Sequence, residues 1–379
     1  MRILADIRLL GKGGASGIEE YTRSLLGTLL EIDRKNEYLF FYNGFSKIAE
    51  PIDLKNFPNA EIANWKIPNK LFDFSARFLN WPKLDDYFGA DVVFSPHFNV
   101  LGAGKRAKRV ITFHDLSFIH HPDFFSRRQH LWHKLQDYKR RALQADRVIA
   151  VSDFTKNDLI RTLGVSPEKT RTIYSGVSDS FKPLPAADGA LRDFLAKKGI
   201  ASAPYLLYLG TIEPRKNIIA VIRAFNEIKS DSRLSDRKLV LAGGRGWLYK
   251  EVLETAENSP YKDDILFFGK VAPEERKFLY NGAEVFVYPS FFEGFGFPPL
   301  EAMACGTPVV VSNRSSFPEI IGDSAPMIDP WRADELSAMI KSVLLDGDFR
   351  RALVAAGLRR AAEFNWRKTA RETLETLTF

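Results

Sequence analysis

YPSFFEGFGFPPLEAMACGTPVVVS, residues 288–312, carries the clearest folding pattern in the chain. An apolar run at 285–288 enters it, and a bend rich in glycine and proline follows. A helix-like run at 299–304 and a second apolar run at 309–311 leave the bend. The order strand, loop, helix, strand is typical of an α/β sheet. The loop is expected to expose backbone N–H groups at a helix N-terminus, which suits anionic or hydroxyl-rich ligands.

Two glutamates lie in this stretch, Glu293 in the loop and Glu301 on the helix. The pair first suggests acid/base chemistry. A retaining glycosidase, however, needs two carboxylates about 5 Å apart across the scissile bond. Because ionised carboxylates only accept hydrogen bonds, a loop-and-helix placement better suits the binding of two different hydroxyl groups.

Length and composition predict a folded protein of two domains. The chain has 379 residues, of which 45% are hydrophobic and 27% charged. No apolar run approaches the roughly 20 residues of a membrane span, and the first residues run into a strand without a signal peptide. The single cysteine, Cys305, excludes an intrachain disulfide and indicates a reducing compartment. We therefore expect a cytoplasmic protein.

The net charge of +7 is concentrated in residues 105–147, where aromatic side chains lie among the basic ones. A solvated helix face is the plain interpretation. Attraction to an anionic partner is the alternative: a diphosphate-linked lipid acceptor, a charged glycan, or peripheral contact with the inner face of the membrane. No nucleic-acid recognition motif is present, so we expect no nucleic-acid partner.

Short apolar runs alternate with helical segments along the whole chain. This alternation predicts parallel sheets with helices on both faces, and so many strands fit two sheets better than one. Predicted strands lie at 3–7, 38–42, 92–94, 110–113, 148–151, 205–209, 239–242, 265–268, 285–288 and 309–311. Predicted helices include 21–32, 128–143, 218–228 and 333–345, and residues 348–378 look wholly helical. A linker-like segment at 178–190 separates a domain at 1–180 from one at 190–361.

Three further positions suggest a ligand site. A glycine-rich loop containing Gly14 and Gly17 follows the first strand and suits a phosphate or is a plain flexible loop. It does not match G-x-G-x-x-G, which disfavours a nicotinamide dehydrogenase. Arg215 and Lys216 follow a strand that ends before Gly210, where two cations beside a helix suit a diphosphate. The alternative for the two cations is an ordinary surface pair.

His114 ends a strand of the first domain, at the sheet edge where parallel α/β proteins bind ligands. Its imidazole suits a ligand hydroxyl, and a structural histidine is the alternative. His120 and His121 follow, but the chain lacks a set of ligands at metal spacing, so we expect no metal.

These motifs resemble those of the retaining glycosyltransferases of group 1, or GT4. The E-x7-E element is the most specific match, and the resemblance covers essentially the whole chain. Other matches are GTIEPRKN at 210–217, Gly-Gly at 243–244, FFGKV at 267–271, VSDFTK at 151–156 and FNWRKTA at 364–370. The resemblance implies the GT-B fold: two facing Rossmann-like α/β domains with a deep interdomain cleft, an N-terminal acceptor domain, a C-terminal donor domain, and a final helix, about 362–379, that crosses back to the first domain.

The resemblance also implies residue roles. Glu293 would hold the donor sugar and Glu301 the ribose, while Arg215 and Lys216 would hold the diphosphate. The implied catalytic residues are His114, Arg215, Lys216 and Glu293. The implied donor-binding residues are Gly14 and Gly17 near the phosphates, Gly210, then Gly269, Lys270 and Val271 at the base, Gly294, Phe295, Gly296 and Phe297 at the sugar, and Glu301. One departure is Glu19, which stands where relatives often have a small residue and would alter loop packing or acceptor entry.

The expected activity is that of a hexosyltransferase that retains anomeric configuration and needs no metal or cofactor. Segments 112–125 and 243–248 look most like members with mannose donors. The resemblance implies transfer of mannose from GDP-mannose to a glycan or lipid-linked acceptor in surface polysaccharide or lipopolysaccharide synthesis. The alternatives are a UDP-sugar transferase of the same fold, a sugar-nucleotide epimerase or hydrolase, and a non-enzymatic sugar-nucleotide-binding protein.

Overall fold

The chain folds into two compact α/β units in a computed structural model that describes residues 1–12, 17–45, 48, 54–185, 187–201 and 203–379. The first unit comprises Met1–His120, Arg127–Gly176 and Asn365–Phe379, and the second comprises His121–Ser126 and Val177–Phe364. The sequence predicts domains at 1–180 and 190–361. The second unit thus begins slightly earlier and also includes a short segment that lies far from it in sequence.

Parallel strands form the sheet of the first unit. They are β1 (Arg2–Asp6), β2 (Glu37–Asn43), β3 (Ala60–Trp65), β4 (Val92–Ser95), β5 (Lys108–Phe113), β6 (Arg147–Ala150) and β7 (Thr170–Thr172). Their order in the described part of the sheet is β3-β2-β1-β4-β5-β6-β7. The helices are α1 (Gly17–Ile32), α2 (Asn69–Phe78), α3 (Leu84–Phe88), α4 (Ser117–His120), α5 (Arg127–Leu135), α6 (Tyr138–Gln144) and α7 (Asp153–Asp158), which continues into a π-helical turn at Leu159–Leu163.

The second unit repeats this architecture. Its strands are β8 (Tyr205–Leu209), β9 (Lys238–Ala242), β10 (Ile265–Gly269), β11 (Val285–Tyr288), β12 (Val309–Ser312) and β13 (Met327–Ile328). Its helices are α8 (Gly189–Lys197), α9 (Ile218–Lys229), α10 (Lys250–Glu257), α11 (Arg276–Gly282), α12 (Phe297–Ala304), α13 (Phe317–Ile321), α14 (Ala333–Leu345) and α15 (Gly347–Ala362). The strands are parallel and lie in the order β10-β9-β8-β11-β12-β13. The chain adds β9 and β10 on one side of β8 and, from β11 onward, adds strands on the other side. Ligands of open α/β sheets bind at such a switch point, here between β8 and β11.

The last helix, α16 (Trp366–Leu377), belongs to the first unit and packs on α1. Asn365 caps it, because its Oδ1 accepts from the Lys368 N–H at 2.9 Å. Thr369 Oγ1 donates to the Tyr174 carbonyl at 2.7 Å. The predicted pair of parallel-sheet domains and the return of the C-terminal helix to the first unit are both confirmed.

The strands that the sequence missed are β3, β7 and β13, all at sheet edges. Central parallel strands are buried on both faces and read as continuous apolar runs, whereas edge strands are not. No side chain of β3 is fully buried, and β7 and β13 have only three and two residues. The missing signal therefore has a physical cause.

Two predicted helices are broken in the structure. The helix expected at 128–143 divides into α5 and α6 because Asp137 adopts φ +53, a left-handed conformation that aspartate tolerates. The helical segment expected at 348–378 divides after Ala362, where the chain passes from the second unit to the first. Phe364 still packs on Phe295 in the second unit, with ring centroids 5.7 Å apart.

Candidate functional site

Three glycines bring the carboxyl ends of β8, β9 and β10 close together. The Gly243 N–H donates to the Gly269 carbonyl at 2.7 Å, and the Gly210 N–H donates to the Ala242 carbonyl at 2.9 Å. Gly243 has φ +144, and a Cβ there would overlap the carbonyl oxygen of Gly210. A side chain at 243 is therefore excluded, and the sequence had singled out Gly210 and Gly269 without this packing reason.

Arg215 and Lys216 lie on a 3-10 turn, Pro214–Lys216, between β8 and α9. Asn217 follows in the left-handed conformation at φ +56. Its Nδ2 donates to the carbonyls of Pro289, at 3.2 Å, and Pro330, at 2.7 Å. The turn that carries the two cations is thus fixed to the loop after β11, the other side of the switch point.

Both cations bind Glu293. Arg215 Nη1 lies 3.2 Å from Glu293 Oε2, and Lys216 Nζ lies 2.6 Å from Oε1. Arg215 Nη2 also pairs with Glu213 at 2.8 Å. Burial raises the pKa of Glu293, but the charges of Arg215 and Lys216 outweigh it and leave that pKa below its ordinary value. The structure therefore unites three of the predicted catalytic residues and keeps Glu293 ionised.

Lys216 has a second partner, the Tyr288 hydroxyl oxygen, which accepts from Nζ at 2.7 Å. Burial and then the charge of Arg215 lower the pKa of Lys216, while Glu293 acts in the opposite direction. An ammonium has three N–H donors, and the third has no hydrogen-bond partner among the residues that the structure describes. That donor suits an anionic oxygen at the switch point.

The loop before α12 is held in one conformation. Ser316 Oγ lies 3.0 Å from the carbonyl oxygens of both Glu293 and Phe295. Gly296 precedes the helix with φ +105, and a Cβ there would lie 2.7 Å from Phe317 Cε1. Gly296 is thus required both by its backbone conformation and by the close approach of an aromatic ring.

The hydrogen-bonding and ionic partners of Glu301 differ from those of Glu293. It is buried on α12, where Oε2 accepts from the Tyr280 hydroxyl at 2.7 Å and Oε1 lies 3.5 Å from Arg276 Nη1. Burial, and then the charge of Glu301, raises the pKa of Tyr280. The two glutamates therefore have different cationic and hydroxyl partners, which fits two binding roles better than one acid/base pair.

The remaining donor-binding candidates lie at three places. Gly269, at the end of β10, has φ +66 and is exposed, as is Lys270 after it, whereas Val271 is buried. Gly294 and Phe295 are buried, and Phe297 is half-buried with its ring 5.1 Å from that of Phe295. Gly17 is exposed as the first residue of α1, Glu19 is buried in the same turn, and Gly14 lies outside the described residues.

His114 lies at the end of β5 in the first unit. Its Nε2 is 2.8 Å from the Pro96 carbonyl oxygen, and because a carbonyl only accepts, Nε2 carries the proton. Burial lowers the pKa of His114, and the Pro96 bond and the Asp115 charge offset this only in part. The imidazole is therefore neutral near pH 7, with Nδ1 as an acceptor for a hydroxyl.

His120 and His121, which follow His114, make contacts within the protein. His120 Nε2 lies 2.7 Å from Asp158, and the ring of His121 stacks on Phe124. The described part of the chain contains no cluster of three or more His, Cys, Asp or Glu side chains that could hold a metal ion. Burial raises the pKa of the Cys305 thiol to about 12, so it is unreactive. No helix among the described residues is long and apolar enough to cross a membrane.

Several residues of the site were not predicted. Sequence signals exist for some of them, since Glu213 lies inside GTIEPRKN and Tyr288 begins the segment 288–312. Arg276 and Tyr280 are four residues apart on one helix, a spacing that places both side chains on one face. The residues missed are Glu213, Asn217, Arg276, Tyr280, Tyr288 and Ser316.

The chain is similar to known proteins along most of its length. Residues 192–360 match the family described as Glycosyl transferases group 1, and residues 15–181 match Glycosyltransferase Family 4. The chain is 31% identical over 373 residues to the O-antigen chain mannosyltransferase B of Escherichia coli, and this alignment covers 95% of each protein. It is 31% identical over 235 residues to the O-antigen chain mannosyltransferase RfbU of Salmonella typhimurium, covering 62% of this chain and 60% of the relative.

Two solved structures share the fold. The sucrose-phosphate synthase of Thermosynechococcus elongatus has a TM-score of 0.78 at 21% identity, covering 99% of this chain and 98% of that one. WaaG, a glycosyltransferase involved in lipopolysaccharide biosynthesis, has a TM-score of 0.74 at 15% identity and covers 100% of both chains. At these identities the likeness concerns the fold alone.

Proposed function

Because the chain belongs to the group 1 glycosyltransferases of family 4, we propose that it transfers mannose from GDP-mannose to a glycan or lipid-linked acceptor in surface polysaccharide synthesis. The mannose donor and the polysaccharide acceptor are supported by the names of the O-antigen relatives. The reaction class is supported by the site itself. We place the reaction in the cytoplasm, with no cofactor.

The observation that carries the proposal is the grouping of Arg215, Lys216 and Glu293 at the switch point of the second sheet. A sugar nucleotide carries a diphosphate next to the sugar, so its site needs cations beside a group that accepts hydrogen bonds from sugar hydroxyls. The turn before α9 supplies the cations, and the loop before α12 supplies the carboxylate. Two cations at the diphosphate replace the charge that a metal would otherwise supply.

The proposed transfer retains the anomeric configuration of the donor. In the proposed step, the bond between the anomeric carbon and the diphosphate oxygen breaks, and the acceptor oxygen bonds to that carbon on the same face. The acceptor proton passes to the departing phosphate oxygen. Each oxygen of Glu293 already accepts from a cation, so Glu293 is a poor nucleophile and serves to orient the sugar. Arg215 and Lys216 stabilise the negative charge that develops on the leaving group.

Glu301 and His114 complete the assignment. Glu301, fixed by Tyr280 and Arg276, would accept from the ribose hydroxyls of the nucleotide. His114 is neutral and protonated at Nε2. Its Nδ1 would accept a hydrogen bond from a sugar hydroxyl. The role of His114 requires no change of protonation near neutral pH.

A panel of nucleotides measured by thermal shift tests this function. A ligand at 100 times its dissociation constant stabilises a protein by about 2.7 kcal/mol. We expect GDP-mannose and GDP to raise the melting temperature more than UDP-glucose and UDP. Glu301→Gln, which keeps side-chain size, should reduce the shift. A larger shift with the uracil nucleotides would replace the GDP-mannose proposal with the UDP-sugar alternative, and no shift with any nucleotide would contradict both.

A further inference from the structure

Tyr21 lies against the imidazole of His114 in the first unit. The centroids of the two rings are 4.8 Å apart, and the rings are nearly perpendicular, at 85°. Tyr21 is on α1 and is fully buried, whereas His114 follows β5 and stays partly exposed. The imidazole is therefore packed against a fixed ring while a ligand can still reach it.

The sequence explains why these two rings meet. Side chains two residues apart lie on the same face of a strand, so Thr112 and His114 face the same side of the first sheet. The hydroxyl oxygen of Tyr21 lies 3.4 Å from Thr112 Oγ1. Leu25 and Leu29, four and eight residues after Tyr21, are also buried, which places this side of α1 against the protein interior.

Hydrogen bonds fix only part of His114. Its Nε2 donates to the Pro96 carbonyl at 2.8 Å, and its own carbonyl accepts from Thr155 Oγ1 at 3.2 Å. A single bond at one ring nitrogen leaves the imidazole free to pivot about that contact. Close packing against Tyr21 limits the pivot, because a dense interior offers a side chain few other positions. The ring of His97, at 5.9 Å, is farther from His114 than that of Tyr21.

The last helix also contacts Tyr21. Trp366 is the first residue of α16, and its ring centroid lies 5.9 Å from that of Tyr21, with the rings inclined at 61°. A Cβ at Gly176 would overlap the backbone nitrogen of Trp366, so the chain at 176 packs directly on the start of this helix and holds it in place. A line of three rings therefore runs from α16 through Tyr21 to His114.

We propose that Tyr21 and Trp366 are positioning residues that fix the orientation of the His114 imidazole for sugar transfer. They act through His114 rather than by contact with the substrate, and they give α16 a part in the reaction. The inference rests on the proposed role of His114 at the donor sugar. When a reaction depends on positioning, a displacement of about 1 Å can cost roughly 100-fold in rate. The aromatic ring of Tyr21 carries the effect, since its hydroxyl lies at Thr112.

Steady-state kinetics of the full chain test the effect on the rate. We expect Tyr21→Leu to lower kcat for transfer from GDP-mannose by about 10- to 100-fold, and Trp366→Leu to lower it by a smaller factor. Tyr21→Phe keeps the ring and should restore most of the wild-type rate. Calorimetry should give the wild-type affinity for GDP in all three variants, because the proposed nucleotide site lies in the second unit.

NMR of the His114 ring separates positioning from a purely structural role. In ¹⁵N-labelled protein the ring nitrogen shifts tell a proton on Nε2 from one on Nδ1, and the His114→Gln spectrum identifies the signals. The wild type and Tyr21→Phe should show one tautomer, protonated at Nε2. In Tyr21→Leu and Trp366→Leu we expect both tautomers and a higher His114 pKa, because the ring moves away from the Pro96 carbonyl and into water.

Tyr38→Leu is the matched control. It also removes a buried tyrosine ring from the first unit, but on β2, which β1 and β4 separate from β5. It should lower the melting temperature and leave kcat and the His114 signals unchanged. If Tyr21→Leu fails to fold, Trp366→Leu carries the test, since Trp366 is only half-buried.

Two results overturn the positioning role: unchanged His114 signals in the folded variants, even where kcat falls, and equal losses of kcat in Tyr21→Leu and Tyr38→Leu. Failure of the wild type to transfer mannose is a different result. It contradicts the proposed function, whereas the NMR comparison still decides whether Tyr21 and Trp366 orient His114.

Discussion

The ammonium of Lys216 lies 2.6 Å from Oε1 of Glu293, and both side chains are buried at the switch point of the second sheet. Desolvation of the two charges is costly, and their attraction offsets that cost only with good geometry and further hydrogen bonds. The Tyr288 hydroxyl and Arg215 provide those bonds. The pair thus holds one cation and one carboxylate in fixed positions, where a diphosphate and a sugar would meet.

Removing the Lys216 charge should slow transfer. We expect Lys216→Met to lower kcat by roughly 100- to 1000-fold, because a preorganised donor to the leaving group is lost. Arg215→Ala combined with Lys216→Ala should abolish measurable turnover. Steady-state transfer from GDP-mannose is the measurement, and circular dichroism checks folding. Lys250→Met, an exposed lysine of the same unit, should keep wild-type kcat, and wild-type turnover in the double variant would remove Arg215 and Lys216 from the reaction.

Removing the Tyr280 hydroxyl should weaken donor binding. Tyr280→Phe deletes the 2.7 Å hydrogen bond to Glu301, so we expect a loss of about 1–2 kcal/mol in stability and a higher KM for the donor. Tyr38→Phe is a matched control, because it deletes a buried 2.7 Å bond to Asp33 in the first unit. It should cost similar stability and leave KM unchanged. Equal KM values for the two variants would contradict the ribose role of Glu301.

Substitution by alanine should destabilise the folded protein at Gly243 but not at its neighbour Gly244. Gly243→Ala places a Cβ on the Gly210 carbonyl at φ +144, whereas a Cβ at Gly244 meets nothing within 4 Å. We expect Gly243→Ala to lower the free energy of unfolding by about 3 kcal/mol or more, and Gly244→Ala to change it little. Urea denaturation of both variants measures this difference. Equal stabilities would show that the ends of β8 and β9 are not so closely packed.

The low pKa of His114 makes stability depend on pH in a defined direction. Burial favours the neutral imidazole in the folded protein, so its contribution is present above the unfolded pKa of about 6.5 and is lost as pH falls through the folded value. Unfolding free energies at pH 7.5 and 5.5 should therefore differ less in His114→Gln than in the wild type. An NMR titration of His114 with a pKa above 6.5 would contradict this prediction.

The central strands were predictable because residues such as those of β8 and β11 are buried throughout and form unbroken apolar runs. Arg215, Lys216 and Glu293 were predictable because each lies just after such a strand. The partners of Glu301 were not, since Arg276 and Tyr280 lie on a helix whose position depends on tertiary packing.

The anomeric configuration of the product tests retaining transfer by this site. GDP-mannose labelled with ¹³C at C1 is incubated with a mannose-terminated oligosaccharide as the acceptor probe, and the new linkage is read by NMR. We predict an α-linked mannose, the configuration of the donor, formed by the wild type and absent with Arg215→Ala and Lys216→Ala combined. A β-linked product, or free mannose as the only product, would contradict retaining transfer by this site.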